Sequence, residues 1–244
     1  MQQSELSTAA LALGSTGERI VEGQVADRLW QDHSARYTFA VPYTVGRRVL
    51  DAACGTGYGS YILATHGALE VSGVDLDSET VAFAGQRYQH TNLTYRQADV
   101  TQLPFADASV ELVTCFETIE HVPDAAQALA ELTRVLAPQG IILISTPNRT
   151  VTSPGKARHE APDNRFHQVE FTPPEFDELL SGQYRVMARY GQRMLPSYLF
   201  PQRWSRLMRT VMPFAYKPTR ASSLPAPLTP GLEARYLVYV AQKL

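Results

Sequence analysis

The chain has 244 residues, of which 44% are hydrophobic and 19% are charged. This composition is typical of a globular protein and excludes a disordered or fibrous chain. The net charge of −2, from 22 basic and 24 acidic side chains, gives no general attraction to nucleic acid or acidic membranes.

The apolar pattern predicts an alternation of strands and helices. Residues 17–45 predict one or two helices, and from residue 48 onward apolar runs alternate with helix-like stretches. Strands are predicted at residues 48–53, 70–76, 93–96, 109–116 and 140–146, and helices at 58–68, 78–88 and 124–136. Two closing strands are predicted at 184–190 and 235–242. This order predicts an α/β fold with a doubly wound, mostly parallel, seven-stranded sheet.

The chain is interpreted as one domain with decorations. Residues 1–45 form an N-terminal helical cap, 46–195 a ligand-binding core, 196–233 a proline- and arginine-rich insertion or lid, and 234–244 the closing strand. Residues 147–174 are polar, which suggests a loop over the site. The aromatic residues of the insertion form either a carbohydrate-stacking wall or ordinary core, namely Tyr198, Phe200, Trp204 and Tyr216.

A glycine-rich turn follows the first strand. Gly55, Gly57 and Gly59 let the backbone turn tightly and approach a ligand without a Cβ clash. Asp75 lies twenty positions after Gly55, where a carboxylate can accept hydrogen bonds from ribose hydroxyls. This spacing alone also fits a dinucleotide site.

Two further acids disfavour a dinucleotide. Asp51 stands just before the glycine turn, where it would repel a pyrophosphate and face an amino group. Asp99 follows the third strand, in a position to accept from an adenine amino group.

The ordered segments DAACGTGYG, VDLD and ADVTQLPF resemble the motifs of class I S-adenosylmethionine-dependent methyltransferases. The resemblance implies that Gly55 and Gly57 contact the cofactor, that Asp75 binds the ribose, and that Leu76 lies on the adenine face. It also implies that Asp99 and Val100 bind the adenine edge. The remaining residues assigned to the cofactor site are Arg36, Asp51, Ala53 and Phe116.

The segments TGER at 16–19 and DHSARY at 32–37 are similar to a subgroup of these enzymes found among bacterial glycan-modifying proteins. In that subgroup an Arg-Tyr helix lies over the methionine end of the cofactor. Arg36 is accordingly predicted either to pair with the methionine carboxylate or to lie on a solvated helix face.

A second cluster follows the fourth strand. If a helical turn begins there, Glu117, Glu120 and His121 project from one face. With the later His167, the E-x-x-E-H pattern is similar to metal-dependent methyltransferases of the small-RNA 3′-terminal and ubiquinone-pathway types, and to mycobacterial methylmannose polysaccharide enzymes. The resemblance implies that these four residues bind one divalent cation, Mg²⁺ or Mn²⁺. A metal-free histidine base and exposed acids without a catalytic role are the alternatives.

The predicted function is metal-assisted O-methylation of a sugar or glycan hydroxyl by S-adenosylmethionine. Glu117, His121 and His167 are the predicted catalytic residues, because a cation can acidify a bound hydroxyl and a histidine can take its proton. A catechol or polyketide-type hydroxyl, an RNA 3′-terminal ribose and a non-catalytic scaffold are the alternatives.

The remaining expectations concern partners and location. We expect a small-molecule or oligosaccharide partner, no nucleic acid and no membrane span, and a homodimer is compatible with the chain. The N-terminus lacks the basic region of a signal peptide, and Cys54 and Cys115 cannot form a disulfide framework. These features predict a cytoplasmic protein.

Overall fold

The computed structural model describes residues 20–197 and 223–244. Its helices are α1 (Asp27–Thr44), α2 (Tyr58–Thr65), α3 (Ser78–Arg87), α4 (Ala125–Val135), α5 (Arg149–Thr152) and α6 (Pro173–Ser181). Its strands are β1 (Arg48–Ala52), β2 (Glu70–Asp75), β3 (Leu93–Gln97), β4 (Val110–Phe116), β5 (Leu136–Pro147), β6 (Tyr184–Pro196), β7 (Ala226–Pro227) and β8 (Leu232–Lys243).

The strands form one sheet in the order β3-β2-β1-β4-β5-β8-β6-β7. Neighbours from β3 to β5 pair in parallel, while β8 pairs antiparallel with both β5 and β6. The predicted α/β fold and mostly parallel sheet are therefore confirmed. Apolar residues pack on both faces, with buried side chains of α4 and α6 on one side and of α2 on the other.

The predicted number of seven strands is wrong, because the described sheet has eight. The additional strand, β7, has two residues and pairs antiparallel with Tyr190 and Gly191 of β6. A segment this short, ending in a proline, has no periodic pattern that sequence analysis can detect. The closing strands are also longer than predicted, because β6 and β8 pair from Tyr184 and Lys243 to Pro196 and Leu232.

The strand order reverses between β1 and β4. From β1 the chain proceeds outward through β2 and β3, and then returns to β4 on the other side of β1. Loops that follow the carboxyl ends of these two strands diverge and leave a crevice, which is the usual ligand site of doubly wound sheets. The glycine turn follows β1, and the E-x-x-E-H segment follows β4.

Helix α1 packs beside this crevice. Tyr37 lies on α2 at Gly59, where an added Cβ would stand 2.0 Å from the tyrosine ring. The Tyr37 ring also meets Tyr58 and Phe116 edge-on, with centroids 5.5 and 5.2 Å apart. Helix α1, which precedes the first strand in the sequence, thus places side chains beside the crevice.

The predicted insertion lies largely outside the described residues, as do its four aromatic residues. No helix in the two described ranges is long and apolar enough to cross a membrane.

Candidate active site

A cavity of about 550 Å³ lies over the carboxyl ends of the central strands. Seven of the ten residues assigned to the cofactor line it: Ala53, Gly55, Asp75, Leu76, Asp99, Val100 and Phe116. They lie at or just after the carboxyl ends of four neighbouring parallel strands, β3, β2, β1 and β4. We refer to this space as the cofactor cavity.

The glycine turn is built for close approach. Gly57 has a φ of 87°, and an added Cβ would lie 2.6 Å from the Ala84 Cβ, so the position suits only glycine. The backbone N–H of Gly55 donates to Asp75 Oδ2 at 2.9 Å, which joins the loop after β1 to the end of β2. Asp75 Oδ1 accepts from the Asp77 backbone at 3.1 Å.

Three of the ten residues do not line the cavity: Arg36, Asp51 and Gly57. Asp51 lies beneath the glycine turn, fully buried, and accepts from the hydroxyls of Ser60, Thr114 and Tyr37. Burial raises the pKa of its carboxyl to about 6 despite these bonds.

Arg36 is also fully buried. Its Nη1 donates to Gln192 Oε1 at 2.6 Å, and its guanidinium stands 5.2 Å from the centroid of the Tyr236 ring. Its Nε and Nη2 have no hydrogen-bond partner among the described residues. The interpretation as a solvated helix face is therefore wrong, whereas pairing with a methionine carboxylate stays a prediction.

A second cavity, of about 470 Å³, adjoins the first. Four residues line both spaces: Ile20, His33, Glu117 and His121. The polar segment predicted to cover the site supplies Asp163, Asn164, His167 and Glu170 to its wall. We call this space the acceptor cavity because it borders the cofactor cavity at the end of β4.

Three of the four predicted metal ligands converge in the acceptor cavity. One ligand atom from each of Glu120, His121 and His167 lies within 4.8 Å of the others. The two imidazole rings meet edge-on with centroids 4.8 Å apart, and His121 Nε2 is 3.8 Å from Glu120 Oε1. We call these three residues the ligand cluster.

Hydrogen bonds orient both imidazoles of the cluster. His121 Nδ1 donates to the Phe166 carbonyl at 3.1 Å, which leaves Nε2 unprotonated in the neutral ring. His167 Nε2 accepts from the Asn164 amide at 2.8 Å, so its Nδ1 donates to Glu170 Oε1 at 2.7 Å. A carbonyl or carboxylate behind Nδ1 is the usual outer partner of a metal-binding histidine.

Glu120 is fully buried, and its Oε1 has no hydrogen-bond partner in the described part of the chain. Its other oxygen accepts from the Thr146 hydroxyl at 3.2 Å. Burial and the neighbouring Glu117 carboxylate raise the pKa of Glu120 well above its usual value. The charged form therefore needs a positive partner at this point.

Glu117 stands apart from the cluster. The predicted helical turn is absent between β4 and α4, where the chain makes a tight turn and Glu117 has a φ of 50°. Its Oε1 accepts from the Ser145 hydroxyl at 2.7 Å, on the neighbouring strand. Glu117 lines both cavities but is not one of the three residues whose ligand atoms converge.

The polar segment is tied to the turn that bears the cluster. The backbone N–H groups of Gln168 and Val169 both donate to the Glu120 carbonyl, at 2.7 and 3.3 Å. These bonds hold His167 against Glu120 and His121.

Sequence analysis missed three α1 and α2 residues that line the cofactor cavity: His33, Tyr37 and Tyr58. His33 and Tyr37 lie in the DHSARY segment, from which only Arg36 was selected. Their spacing of four residues places them on one helix face, and this spacing could have indicated that both lie at the same site.

Comparison with known proteins agrees with this geometry. Residues 50–144 match the model of a methyltransferase domain family. The chain is 41% identical over 170 residues to a probable S-adenosylmethionine-dependent methyltransferase of Mycolicibacterium smegmatis, covering 69% of the chain and 64% of that protein. It is 37% identical over 113 residues to a ubiquinone biosynthesis O-methyltransferase of Psychrobacter arcticus, covering 44% of each chain.

A solved S-adenosylmethionine-dependent methyltransferase from Mesorhizobium loti superposes with a TM-score of 0.58 at 17% identity, covering 86% of this chain and 99% of that one. This likeness concerns the fold. The chain spans less than two thirds of the length of the Mycolicibacterium relative. Residues 50–144 thus match the model of the methyltransferase domain family, and the chain shares the Rossmann-like α/β fold of the Mesorhizobium enzyme.

Proposed function

We propose that the protein is a divalent-metal-assisted O-methyltransferase that transfers a methyl group from S-adenosylmethionine to a hydroxyl of a sugar or glycan. The observation on which the proposal rests is the ligand cluster beside the cofactor cavity, with its buried carboxylate oxygen lacking a partner. The Psychrobacter relative, whose name specifies O-methylation, supports the choice of a hydroxyl.

The cofactor cavity suits S-adenosylmethionine. Asp75 offers a carboxylate to the ribose, and Asp99 and Val100, after the neighbouring strand, line the cavity where the adenine would lie. Tyr37, Tyr58 and Phe116 provide aromatic surface near His33 and Glu117, where the sulfonium would meet the acceptor cavity.

The ligand cluster fits a divalent cation. Glu120 Oε1 lacks a hydrogen-bond partner among the described residues, and burial together with the Glu117 carboxylate raises the pKa of its carboxyl, so a cation beside it would favour the ionised form. One carboxylate and two imidazoles suit Mn²⁺ better than Mg²⁺ by ligand softness. Binding there would displace the Asn164 amide from His167.

Together these groups would supply the chemistry of methyl transfer. S-adenosylmethionine would provide an electrophilic methyl group, and the cation would lower the pKa of a bound hydroxyl. Glu120, His121 and His167 would hold the cation, and the walls of the two cavities would orient donor and acceptor.

The acceptor cavity favours a polyhydroxylated molecule. Most of its lining residues have polar or charged side chains, including Asp163, Glu170, Asn164, Thr152 and Arg235. A sugar can exchange hydrogen bonds with such a surface through several hydroxyls at once. The apolar contribution comes from Ile20, Leu29 and Pro147, together with the ring of Tyr236.

The second candidate acceptor is a catechol, which would chelate the same cation. It is favoured by the resemblance to the ubiquinone biosynthesis enzyme over 113 residues.

A labelled-methyl assay tests both candidates. The protein would be incubated with methyl-labelled S-adenosylmethionine, Mn²⁺ and separate acceptors, namely mono- and oligosaccharides, a catechol and a short RNA. We expect label in a saccharide ether, loss of transfer in excess EDTA and recovery with added Mn²⁺. Full turnover in EDTA would show that no metal assists the reaction. Transfer to the catechol alone would show that the acceptor is a catechol and not a sugar.

A further inference from the structure

His33 of α1 lies at the junction of the two cavities. It lines both of them, together with Ile20, Glu117 and His121. Within residues 20–197 and 223–244, neither ring nitrogen of His33 takes part in a hydrogen bond. The imidazole is therefore positioned to meet a bound molecule.

The other two histidines of the acceptor cavity have different surroundings. His121 and His167 each use Nδ1 to donate to an acceptor behind the ring, and both belong to the ligand cluster. A histidine that binds a cation through Nε2 and donates through Nδ1 has no lone pair left for a proton. His33 is not a member of the ligand cluster, and neither of its ring nitrogens donates to an acceptor in the described ranges.

We propose that His33 accepts the proton of the acceptor hydroxyl during methyl transfer, a role that rests on the proposed function. The acceptor oxygen forms a bond to the methyl carbon, and the carbon–sulfur bond breaks with its electron pair remaining on sulfur. The proton of the O–H group passes to a ring nitrogen of His33. The products are the methyl ether, S-adenosylhomocysteine and a protonated imidazole that later releases its proton to water.

The charge environment suits this role. Burial, and then the adjacent Arg36 guanidinium, hold the pKa of His33 well below its usual value, so the ring is neutral at neutral pH. A neutral imidazole does not repel the sulfonium. The oxygen becomes strongly acidic as the new bond forms, so a weak base can take the proton, and Arg36 then favours its release.

Other ionisable groups line the same two cavities. Those of the acceptor cavity are Glu117, Glu120, His121, Asp163, His167, Glu170, Arg235 and Tyr236, and the cofactor cavity adds Tyr37, Cys54, Tyr58, Asp75, Asp77, Asp99 and Asp124. Because the acids and bases here are numerous, the shape of a pH profile alone would not identify His33. The test therefore uses the resonance of His33 itself and chemical rescue.

The first measurement needs no acceptor. Histidine-labelled protein is observed by NMR, and the His33 resonance is identified by its absence in His33→Gln. We expect this resonance to shift when S-adenosylmethionine or S-adenosylhomocysteine is added, while the resonance of exposed His90 stays in place. An unmoved His33 resonance on a protein that binds the cofactor would overturn the proposal.

The second measurement uses the acceptor found in the labelled-methyl assay. His33→Gln and His33→Ala should lower kcat by about 100-fold or more, with KM and cofactor affinity within about 3-fold of the wild type. Exogenous imidazole should restore part of kcat to His33→Ala, whereas His90→Gln should behave as the wild type. A kcat of His33→Gln near that of the wild type, or no rescue of His33→Ala, would overturn the proposal.

The two measurements separate this inference from the proposed function. Methylation of no acceptor in the panel would count against the proposed function, while the NMR shift would still report whether His33 faces the cofactor. Methylation of an acceptor without loss in His33→Gln would leave the function standing and remove His33 as the proton acceptor.

Discussion

The Arg193 guanidinium in β6 forms a two-point ion pair with the Asp32 carboxylate in α1. Nε donates to Oδ2 at 2.8 Å, and Nη2 lies 2.6 Å from Oδ1. Both side chains are about 95% buried. Gln192, the preceding residue of β6, donates to the Asp32 carbonyl and accepts from Arg36. These bonds hold α1, the helix that bears His33, against β6.

Asp32→Asn should destabilise the protein by about 3 kcal/mol, because it leaves the charge of Arg193 buried without a counter-charge. Chemical denaturation would measure this loss. Glu111→Gln is the matched control, since it removes the partner of Arg48 on the exposed surface and should change stability by less than about 1 kcal/mol. Equal effects of the two substitutions would contradict the role of the buried pair.

Gly59→Ala should separate α1 from α2. The new Cβ would overlap the Tyr37 ring, so we expect a loss of about 1–3 kcal/mol and weaker cofactor binding. Gly85→Ala in α3 places its Cβ 4.0 Å from the nearest atom, in Tyr95, and should stabilise the protein by about 0.5–1 kcal/mol. Thermal unfolding of both variants tests the expectation, which fails if Gly59→Ala is as stable as the wild type.

Asp75→Ala should weaken binding of S-adenosylmethionine about 10- to 100-fold, because it removes a charged acceptor from the ribose position and from the Gly55 backbone. Calorimetry measures the dissociation constant directly. As a control, Asp107→Ala, which removes an exposed ion pair with Arg134, should leave the dissociation constant unchanged. An unchanged constant for Asp75→Ala would refute the predicted ribose contact.

Asp51 should make stability depend on pH. Its pKa is about 6 in the folded protein and near 3.8 when unfolded, so the folded state holds an additional proton between these values. The contribution of Asp51 is therefore greatest below about pH 4 and falls by about 2–3 kcal/mol as the pH rises through 6.

Urea unfolding of the wild type and of Asp51→Asn across this range isolates the effect, since the other groups titrate alike in both. We expect the wild-type stability to fall relative to the variant from pH 4 to pH 7. Parallel curves would show that the pKa of Asp51 is not raised.

Glu120→Gln should remove the response to Mn²⁺. We expect Mn²⁺ to raise the Tm of the wild type, because a ligand that binds only the folded state stabilises it. The variant retains the volume of the side chain but loses the charge, so its Tm should not change with Mn²⁺. Glu111→Gln, far along β4 from the cluster, should respond as the wild type does. A wild-type Tm insensitive to Mn²⁺ would argue against the site.

The sequence predicted what is local in the chain. Gly55 follows β1 and Asp75 ends β2, the next strand along the chain, so their spacing in the sequence was enough to predict that both lie at one cavity. The predicted convergence of Glu117 with Glu120 depended on a helical turn, and the positive φ of Glu117 has no sequence signal. The position of His33 depends on hydrogen bonds between α1 and β6, whose residues are about 160 positions apart in the sequence. No local sequence pattern predicts such contacts.

The paired backbone bonds to the Glu120 carbonyl join the polar segment at residues 147–174 to the ligand cluster. Widening the space for a larger substrate by shifting the chain around Gln168 and Val169 would break these bonds and move His167 away from its neighbours. If the proposed function holds, a change in substrate scope made there would also change ion affinity, and engineered variants with broader scope should instead arise by trimming other lining side chains, such as Leu29 or Tyr236.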